Sequence, residues 1–334
     1  MIPLIVFTLA VAVTFVSTPL VMRLARRLGA VDVPRSRHQH RAPIPKLGGI
    51  ALALGFSIAL AASFVLPVER HDALEATRVV GVLVGLLMVL VVGIADDVRE
   101  LPAGPQFLAQ FAAAVVVIGF GVRIADVSTP FGMETLPDWF ALLFTFFWLT
   151  GMVNTVNWLD GLDGLAAGVV AIACVILFVH TQALHQDSIA LLPLALLGAI
   201  VGFLPFNFSP AKIFLGSGAA FLGLALGALS IIGGAKVASA LLVLGIPILD
   251  TAWQIMRRVR DGRAPFHGDR GHLHFRLADR GWSQRRVVLL LYALSIAFGG
   301  MALALPSGLS KLVAMAILGA VMFGFMVWVT RRKR

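Results

Sequence analysis

Long apolar stretches, each broken by a short polar segment, recur from one end of the chain to the other. Most approach the ~20 residues that a helix needs to cross ~30 Å of hydrocarbon. Eleven such spans can be drawn, over residues 3–22, 48–66, 79–95, 106–121, 139–153, 164–180, 189–204, 213–231, 237–256, 287–305 and 309–329. The short alternating strands of an outer-membrane barrel are absent, so closed helices must satisfy the backbone inside lipid. The pattern predicts an all-α, polytopic integral membrane protein. No basic region precedes the first stretch, and arginines rather than small residues follow it, so it reads as a retained helix and not a cleavable signal. No repeat on the order of 20–50 residues is present. With no Ser/Gly-rich linker either, one membrane domain over residues 1–334 is expected.

Composition agrees: 59% of the residues are hydrophobic and 13% charged, against about 25% charged in soluble domains. A water-soluble globule is excluded. The net charge of +10 invites a nucleic-acid reading, but its placement argues against one. The side that holds the first loop carries 22 of the 27 Lys and Arg residues; the other carries Arg70, Arg78, Arg123, Lys236 and Lys311. By the positive-inside rule the N-terminus lies outside and the basic C-terminal tail is cytoplasmic. The single cysteine, Cys174, excludes an internal disulfide and a cysteine-based zinc cluster. The outer acids, Glu69, Asp72, Glu75, Asp126, Glu134, Asp138 and Asp187, read as solvated loop residues.

Four polar clusters fall on the cytoplasmic side. The third span ends in Asp96-Asp97, adjacent carboxylates at the edge of the hydrocarbon. Like charges so close raise each other's proton affinity unless a cation is near, which suits magnesium or proton transfer. The blander reading is two interfacial acids capping the next helix. In the following loop Asn154, Asn157, Asp160 and Asp163 recur every third position before two Asp-Gly turns. Several hard oxygen donors then converge on one side, again suited to magnesium, although Asp-Gly and Asn also serve as ordinary turn residues. A calcium loop is excluded because the twelfth position from Asp160 is Ala171, not Glu.

Gly216-Ser217-Gly218 opens the eighth span, where accessible backbone N–H groups at a helix N-terminus favour an anion such as phosphate. Small-residue helix packing is the alternative. Neither a Walker A sequence nor G-x-G-x-x-G is present, so the common nucleotide-binding folds are not supported. The longest cytoplasmic loop carries His267, Arg270, His272, His274 and Arg276, a cationic surface able to meet a diphosphate or nucleotide. The histidine spacing matches no zinc pattern.

Taken in order, these clusters resemble the polyprenyl-phosphate N-acetylhexosamine-1-phosphate transferases, glycosyltransferase family 4. The resemblance is closest to the undecaprenyl-phosphate GlcNAc-1-phosphate branch, which is related to phospho-MurNAc-pentapeptide translocase. It runs from Asp32-Val-Pro34 and Pro43-Ile-Pro-Lys46-Leu-Gly48-Gly49, through Asp96-Asp97 and Asn154-x-x-Asn157-x-x-Asp160-Gly-x-Asp163-Gly, to Pro247-Ile-Leu-Asp250 and the segment from Asp269 to Trp282. The resemblance implies transfer of an N-acetylhexosamine-1-phosphate from a UDP-sugar, with UDP-GlcNAc the first candidate, to undecaprenyl phosphate with release of UMP. It implies catalytic roles for Asp96, Asp97, Asp160 and Asp163, and magnesium, or manganese in its place, held by Asn157 and Asp97. Lys46, Asn154, Arg270, His272, His274 and Arg276 would meet the nucleotide diphosphate, with Gly216, Ser217 and Gly218 near a phosphate. It further implies a bacterial inner membrane, a site facing the cytoplasm, and cell-wall or envelope polysaccharide synthesis such as lipopolysaccharide or teichoic acid. A homodimer is left open as a partner.

Three positions depart from the family pattern. An aspartate ligand to magnesium normally follows the glycine matched by Gly216, yet here Ser217 follows directly. Gln106 stands where a phosphate-binding lysine is usual, and Phe275 where the sugar-nucleotide branch has another histidine. Two alternatives therefore stay open: a non-catalytic lipid- or nucleotide-binding relative, and the pentapeptide translocase.

Overall fold

The computed structural model describes residues 1–33, 42–129, 132–234, 237–262, 271–305 and 308–331. The first long helix, α1 (Ile2–Leu28), is followed by a small ladder of β1 (Val31–Asp32) and β2 (Ile44–Pro45), then α2 (Gly48–Val65), α3 (Glu75–Arg99) and α4 (Ala103–Gly119). A second hairpin, β3 (Asp126–Thr129) and β4 (Gly132–Thr135), leads to α5 (Asp138–Leu159), α6 (Leu165–Ala183), α7 (Asp187–Asn207) and α8 (Gly218–Ile232). The chain ends with α9 (Val237–Val243), α10 (Gly245–Arg260), α11 (Leu273–Ala278), α12 (Gln284–Ala304) and α13 (Gly308–Arg331). Among the described residues, eight helices are long and apolar enough to cross a membrane, namely α1, α2, α3, α5, α6, α7, α12 and α13. Two shorter apolar helices, α4 and α8, stand with them. The chain is an all-α, polytopic membrane protein.

The expected continuous span over residues 237–256 is instead two helices, α9 and α10. Pro247 explains the break: it has no N–H to reach the Val243 carbonyl four residues back. Bonding persists on either side, from Leu244 N–H to Ala240 and from Ile248 N–H to Leu244.

Helix α8 is the hub. It packs on α5, α3, α2 and α6, and nearly all of its residues are buried. At 15 residues it is only about 22 Å long at 1.5 Å per residue, a length suited to a helix sheathed by protein. Because lipid tails supply no hydrophobic drive between helices, close backbone approach through small residues matters more. A Cβ on Gly223 of α8 would lie 2.7 Å from the Met152 carbonyl oxygen of α5. One on Gly198 of α7 would lie 2.6 Å from the Phe7 carbonyl oxygen of α1.

Glu75 departs from the solvated outer acid that its loop position predicts. It is 1% exposed, ion-paired to Arg70, and accepts a 2.7 Å hydrogen bond from the Ser188 hydroxyl. A carboxylate withdrawn from water needs such partners, and these tie the start of α3 to the start of α7. The Arg70 guanidinium also lies 3.8 Å from the Phe64 ring centroid.

Candidate active site

The site is assembled by a backbone seam between two segments distant in sequence. The Phe214 N–H donates to the Pro45 carbonyl at 2.8 Å, Gly48 N–H to Phe214 at 3.1 Å, and Gly49 N–H to Leu215 at 3.1 Å. This seam sets Lys46 beside Gly216. Gly216 has φ +54°, and a Cβ there would collide with the Lys46 carbonyl oxygen and lie 2.5 Å from Asp97 Oδ2. Glycine is required at that point by both backbone conformation and space.

The end of α3 closes on the same place. Asp97, 8% exposed, accepts the Ser217 N–H at Oδ2 over 2.7 Å. The anion met by the α8 N-terminus is therefore the chain's own carboxylate. Gly218 N–H is likewise engaged, by the Leu215 carbonyl at 2.9 Å. Asp96 is half-buried and accepts the Leu101 N–H at 2.7 Å in the turn between α3 and α4; α4 itself begins at Pro102 with no side-chain cap, so the pair does not cap the next helix. The positive charge of Lys46 acts on Asp97.

The C-terminus of α5 supplies the next group. Asn154 donates through Nδ2 to Gln110 Oε1 of α4 at 2.9 Å and to the Thr150 carbonyl at 2.8 Å, which leaves its own carbonyl oxygen to face other partners. Asn157 is exposed. Asp160 caps α5 beyond its last turn, and no described residue donates a hydrogen bond to it. Burial first, then the charges of Asp97 and Asp163, push its carboxyl up to about 7. Asp97, from the end of α3, and Asp163, from the loop, thus both act on Asp160. Asp163 accepts the Ala211 N–H at 3.0 Å, and the Tyr292 hydroxyl of α12 donates to the Gly164 carbonyl. The Asp-Gly loop is held from both flanks.

The histidine loop meets this cluster through Gly161. A Cβ on Gly161 would collide with His274 Nε2 and lie 2.7 Å from the Phe275 ring. His272 precedes α11 and is buried, with Nδ1 2.8 Å from Asp250 Oδ2. His274 is buried on α11, its ring stacked on His272 at 5.7 Å between centroids. Arg276 is half-buried on the same helix; Arg270 lies outside the described residues.

Sequence reasoning missed Gln110, Tyr292 and the tether by Asp250. The signals were there: a Gln inside an apolar span, and the chain's single tyrosine.

The donors that gather here suit a hard cation. They are oxygens, and burial, with the charges of Asp97 and Asp163 behind it, disfavours the ionised form of Asp160. Among the described residues no three His, Cys, Asp or Glu side chains stand close enough to share one ion. Magnesium does not demand such a cage, because one or two carboxylates, waters and substrate phosphates complete its shell.

Comparison with known proteins points to one family. The family model described as "Glycosyl transferase family 4" matches residues 79–234. A probable undecaprenyl-phosphate N-acetylglucosaminyl 1-phosphate transferase of Bacillus subtilis is 34% identical over 309 residues, 90% of this chain and 84% of that relative. The decaprenyl-phosphate N-acetylglucosaminephosphotransferase of Mycolicibacterium smegmatis is 36% identical over 312 residues, 85% of this chain and 77% of the relative. A phospho-N-acetylmuramoyl-pentapeptide-transferase of Pelotomaculum thermopropionicum is 34% identical over 338 residues, 92% of this chain and 98% of the relative. With such coverage and a multi-pass fold, the chain belongs to glycosyl transferase family 4 and is a membrane-embedded transferase of that family.

Proposed function

We propose that the chain transfers GlcNAc-1-phosphate, or a related N-acetylhexosamine-1-phosphate, from a UDP-sugar to undecaprenyl phosphate and releases UMP. The reaction is placed at the cytoplasmic face of a bacterial inner membrane, as a first membrane step of envelope polysaccharide synthesis. One observation carries the reading: the Asp-Gly loop and the histidine loop, more than 100 residues apart in sequence, meet where Gly161 abuts His274 and Phe275. A lipid acceptor needs a site at the bilayer edge and a nucleotide donor needs a basic loop, and in this proposal the junction serves both.

In the proposed reaction a phosphate oxygen of the lipid attacks the sugar-linked phosphorus, the phosphoanhydride bond breaks, and UMP leaves. Magnesium, when bound, neutralises charge on the phosphate oxygens. Asp97 and Asn157, with Asp160 alongside, are the residues suited to hold it. Asp96, the more accessible of the pair, is suited to orient the acceptor phosphate. Lys46, Asn154, His272, His274, Arg276 and Arg270 are assigned to the donor, where cationic and imidazole donors stabilise leaving-group charge. The segment from Asp269 to Trp282 favours a UDP-N-acetyl sugar over the pentapeptide donor.

Purified protein given UDP-GlcNAc, undecaprenyl phosphate and magnesium should release UMP, and EDTA should stop it. No release with any UDP-amino sugar, under conditions where the Bacillus subtilis relative works, overturns the reading. A second reading rests on the shortened Gly216-Ser217 junction, which commits Asp97 to the Ser217 N–H: a relative that binds lipid or nucleotide without turnover. Saturable UDP binding with no UMP would select it.

A further inference from the structure

We propose that Asp250 is a positioning residue for His272, holding the imidazole by Nδ1 so that Nε2 is presented to the donor phosphates; this rests on the transferase reading above. Asp250 lies on α10 and is 5% exposed. Its Oδ2 stands 2.8 Å from His272 Nδ1, and its Oδ1 accepts the Leu273 N–H at 3.0 Å. One turn further along α10, buried Gln254 donates through Nε2 to the Gly271 carbonyl at 2.5 Å. Helix α10 therefore grips three consecutive residues at the foot of the histidine loop.

The grip on His272 differs in kind from the other two. An ionised carboxylate can only accept, so the bond requires hydrogen on Nδ1. That choice fixes the tautomer and leaves Nε2 as the reactive nitrogen, bearing either a lone pair or, in the imidazolium, the outward N–H. Among the described residues nothing hydrogen-bonds Nε2. The ring also has aromatic neighbours. The Trp158 ring lies 6.2 Å away, tilted by 44°, and His274 stacks 5.7 Å away at an interplanar angle of 12°. The Arg258 guanidinium lies 5.8 Å from the Trp158 ring centroid. His274 itself abuts Gly161, next to Asp160. Through its stacked neighbour His274, His272 thus belongs to the same neighbourhood as the acid loop.

A loop tether and a positioning residue differ in one respect. If Asp250 merely anchors the loop, its loss should cost the same whether or not residue 272 is histidine. If it acts through the imidazole, the two losses should not add. The test is a double-mutant cycle of Asp250→Asn and His272→Ala, read as UDP affinity by calorimetry on the purified full chain and, in parallel, as kcat and KM for UMP release. Asp250→Asn should weaken UDP binding about tenfold in the native background and less than about twofold beside His272→Ala. Asp250→Glu should restore part of the loss. Gln254→Ala, which frees Gly271 and removes a long 3.5 Å contact to Asp250 Oδ1 but leaves the Oδ2 bond to His272 in place, should change affinity less than about threefold.

Additive losses, or a Gln254→Ala variant as impaired as Asp250→Asn, overturn the proposal. Should Asp250→Asn fail to fold, the cycle run with Asp250→Glu decides in the same way. Coupled UDP binding with no UMP release in the native protein leaves the positioning role standing and sinks the transferase reading alone. Absence of UDP binding by the native protein sinks both.

Discussion

Replacing Asp97 by Asn and by Ala separates what this side chain does for the scaffold from what it does for chemistry. In the native protein its Oδ2 accepts the Ser217 N–H at 2.7 Å, at a residue that is 8% exposed. A hydrogen bond to a charged acceptor contributes about 1.5–3 kcal/mol, against about 0.5–1.5 for a neutral one. Asn retains a carbonyl oxygen of the same reach, so Asp97→Asn should lose only about 1 kcal/mol. Removal of a charge that acts on Asp160 offsets part of even that. Ala offers no acceptor and leaves a buried N–H unsatisfied, at about 1–3 kcal/mol. Thermal melting in detergent should therefore rank native, Asn and Ala in falling order, with Asn near native. UMP release should behave differently, falling at least about a hundredfold in both variants, since removing one electrostatic contact at a reacting phosphate costs about that much. An Asp97→Asn variant that keeps activity within threefold of native would refute the assignment, leaving this carboxylate a helix cap and nothing more.

Four further outcomes follow from the same geometry. For Asp160, the folded-state carboxyl at about 7 exceeds its ordinary 3.8, so the folded chain binds that proton more tightly. Its contribution to stability is full below about 3.8 and is lost as pH rises through about 7; melting in EDTA should show this fall in the native protein and a flatter profile in Asp160→Asn. Tyr292→Phe removes the bond to the Gly164 carbonyl and should cost about 1 kcal/mol, with kcat reduced more than the KM for the lipid. Glu75→Ala strips a buried partner from Arg70 and Ser188 and should destabilise by about 3–5 kcal/mol, measured by melting, while the substrate KM values of the surviving protein stay unchanged. Inserting Asp between Gly216 and Ser217 should raise turnover severalfold and lower the magnesium required; unchanged turnover would mean that another group already fills that role.

The apolar spans were legible because lipid imposes them residue by residue: a helix must be apolar for its whole crossing, and charge must leave at its ends. The broken helix at Pro247 was legible in principle, since proline removes a specific bond, but its neighbours are apolar enough to hide it in a window average. Glu75 was misread because its loop position gives no sign of burial: Arg70 is local, but Ser188 arrives from α7. Asp96-Asp97 was recognised as a pair, yet only the fold distinguishes the two: Asp97 is drawn onto the α8 N-terminus by the seam between Pro45 and Phe214, while Asp96 turns to cap the loop at Leu101. The Gly216-Ser217-Gly218 segment was read as an anion site, and the helix end does meet an anion, though one supplied by the chain itself. Asp250 was visible as part of a motif, but its bond to His272 spans 22 residues and has no local signature.

The most direct test of the transferase account follows the phosphorus. UDP-GlcNAc labelled with ³²P at the sugar-linked phosphate, and separately at the uridine-linked phosphate, is incubated with the purified protein, undecaprenyl phosphate and magnesium, and the lipid and aqueous phases are counted. The account predicts that the sugar-linked label enters the lipid phase while the uridine-linked label stays in water as UMP. No lipid label in either case, where the Bacillus subtilis relative transfers it under identical conditions, would contradict it.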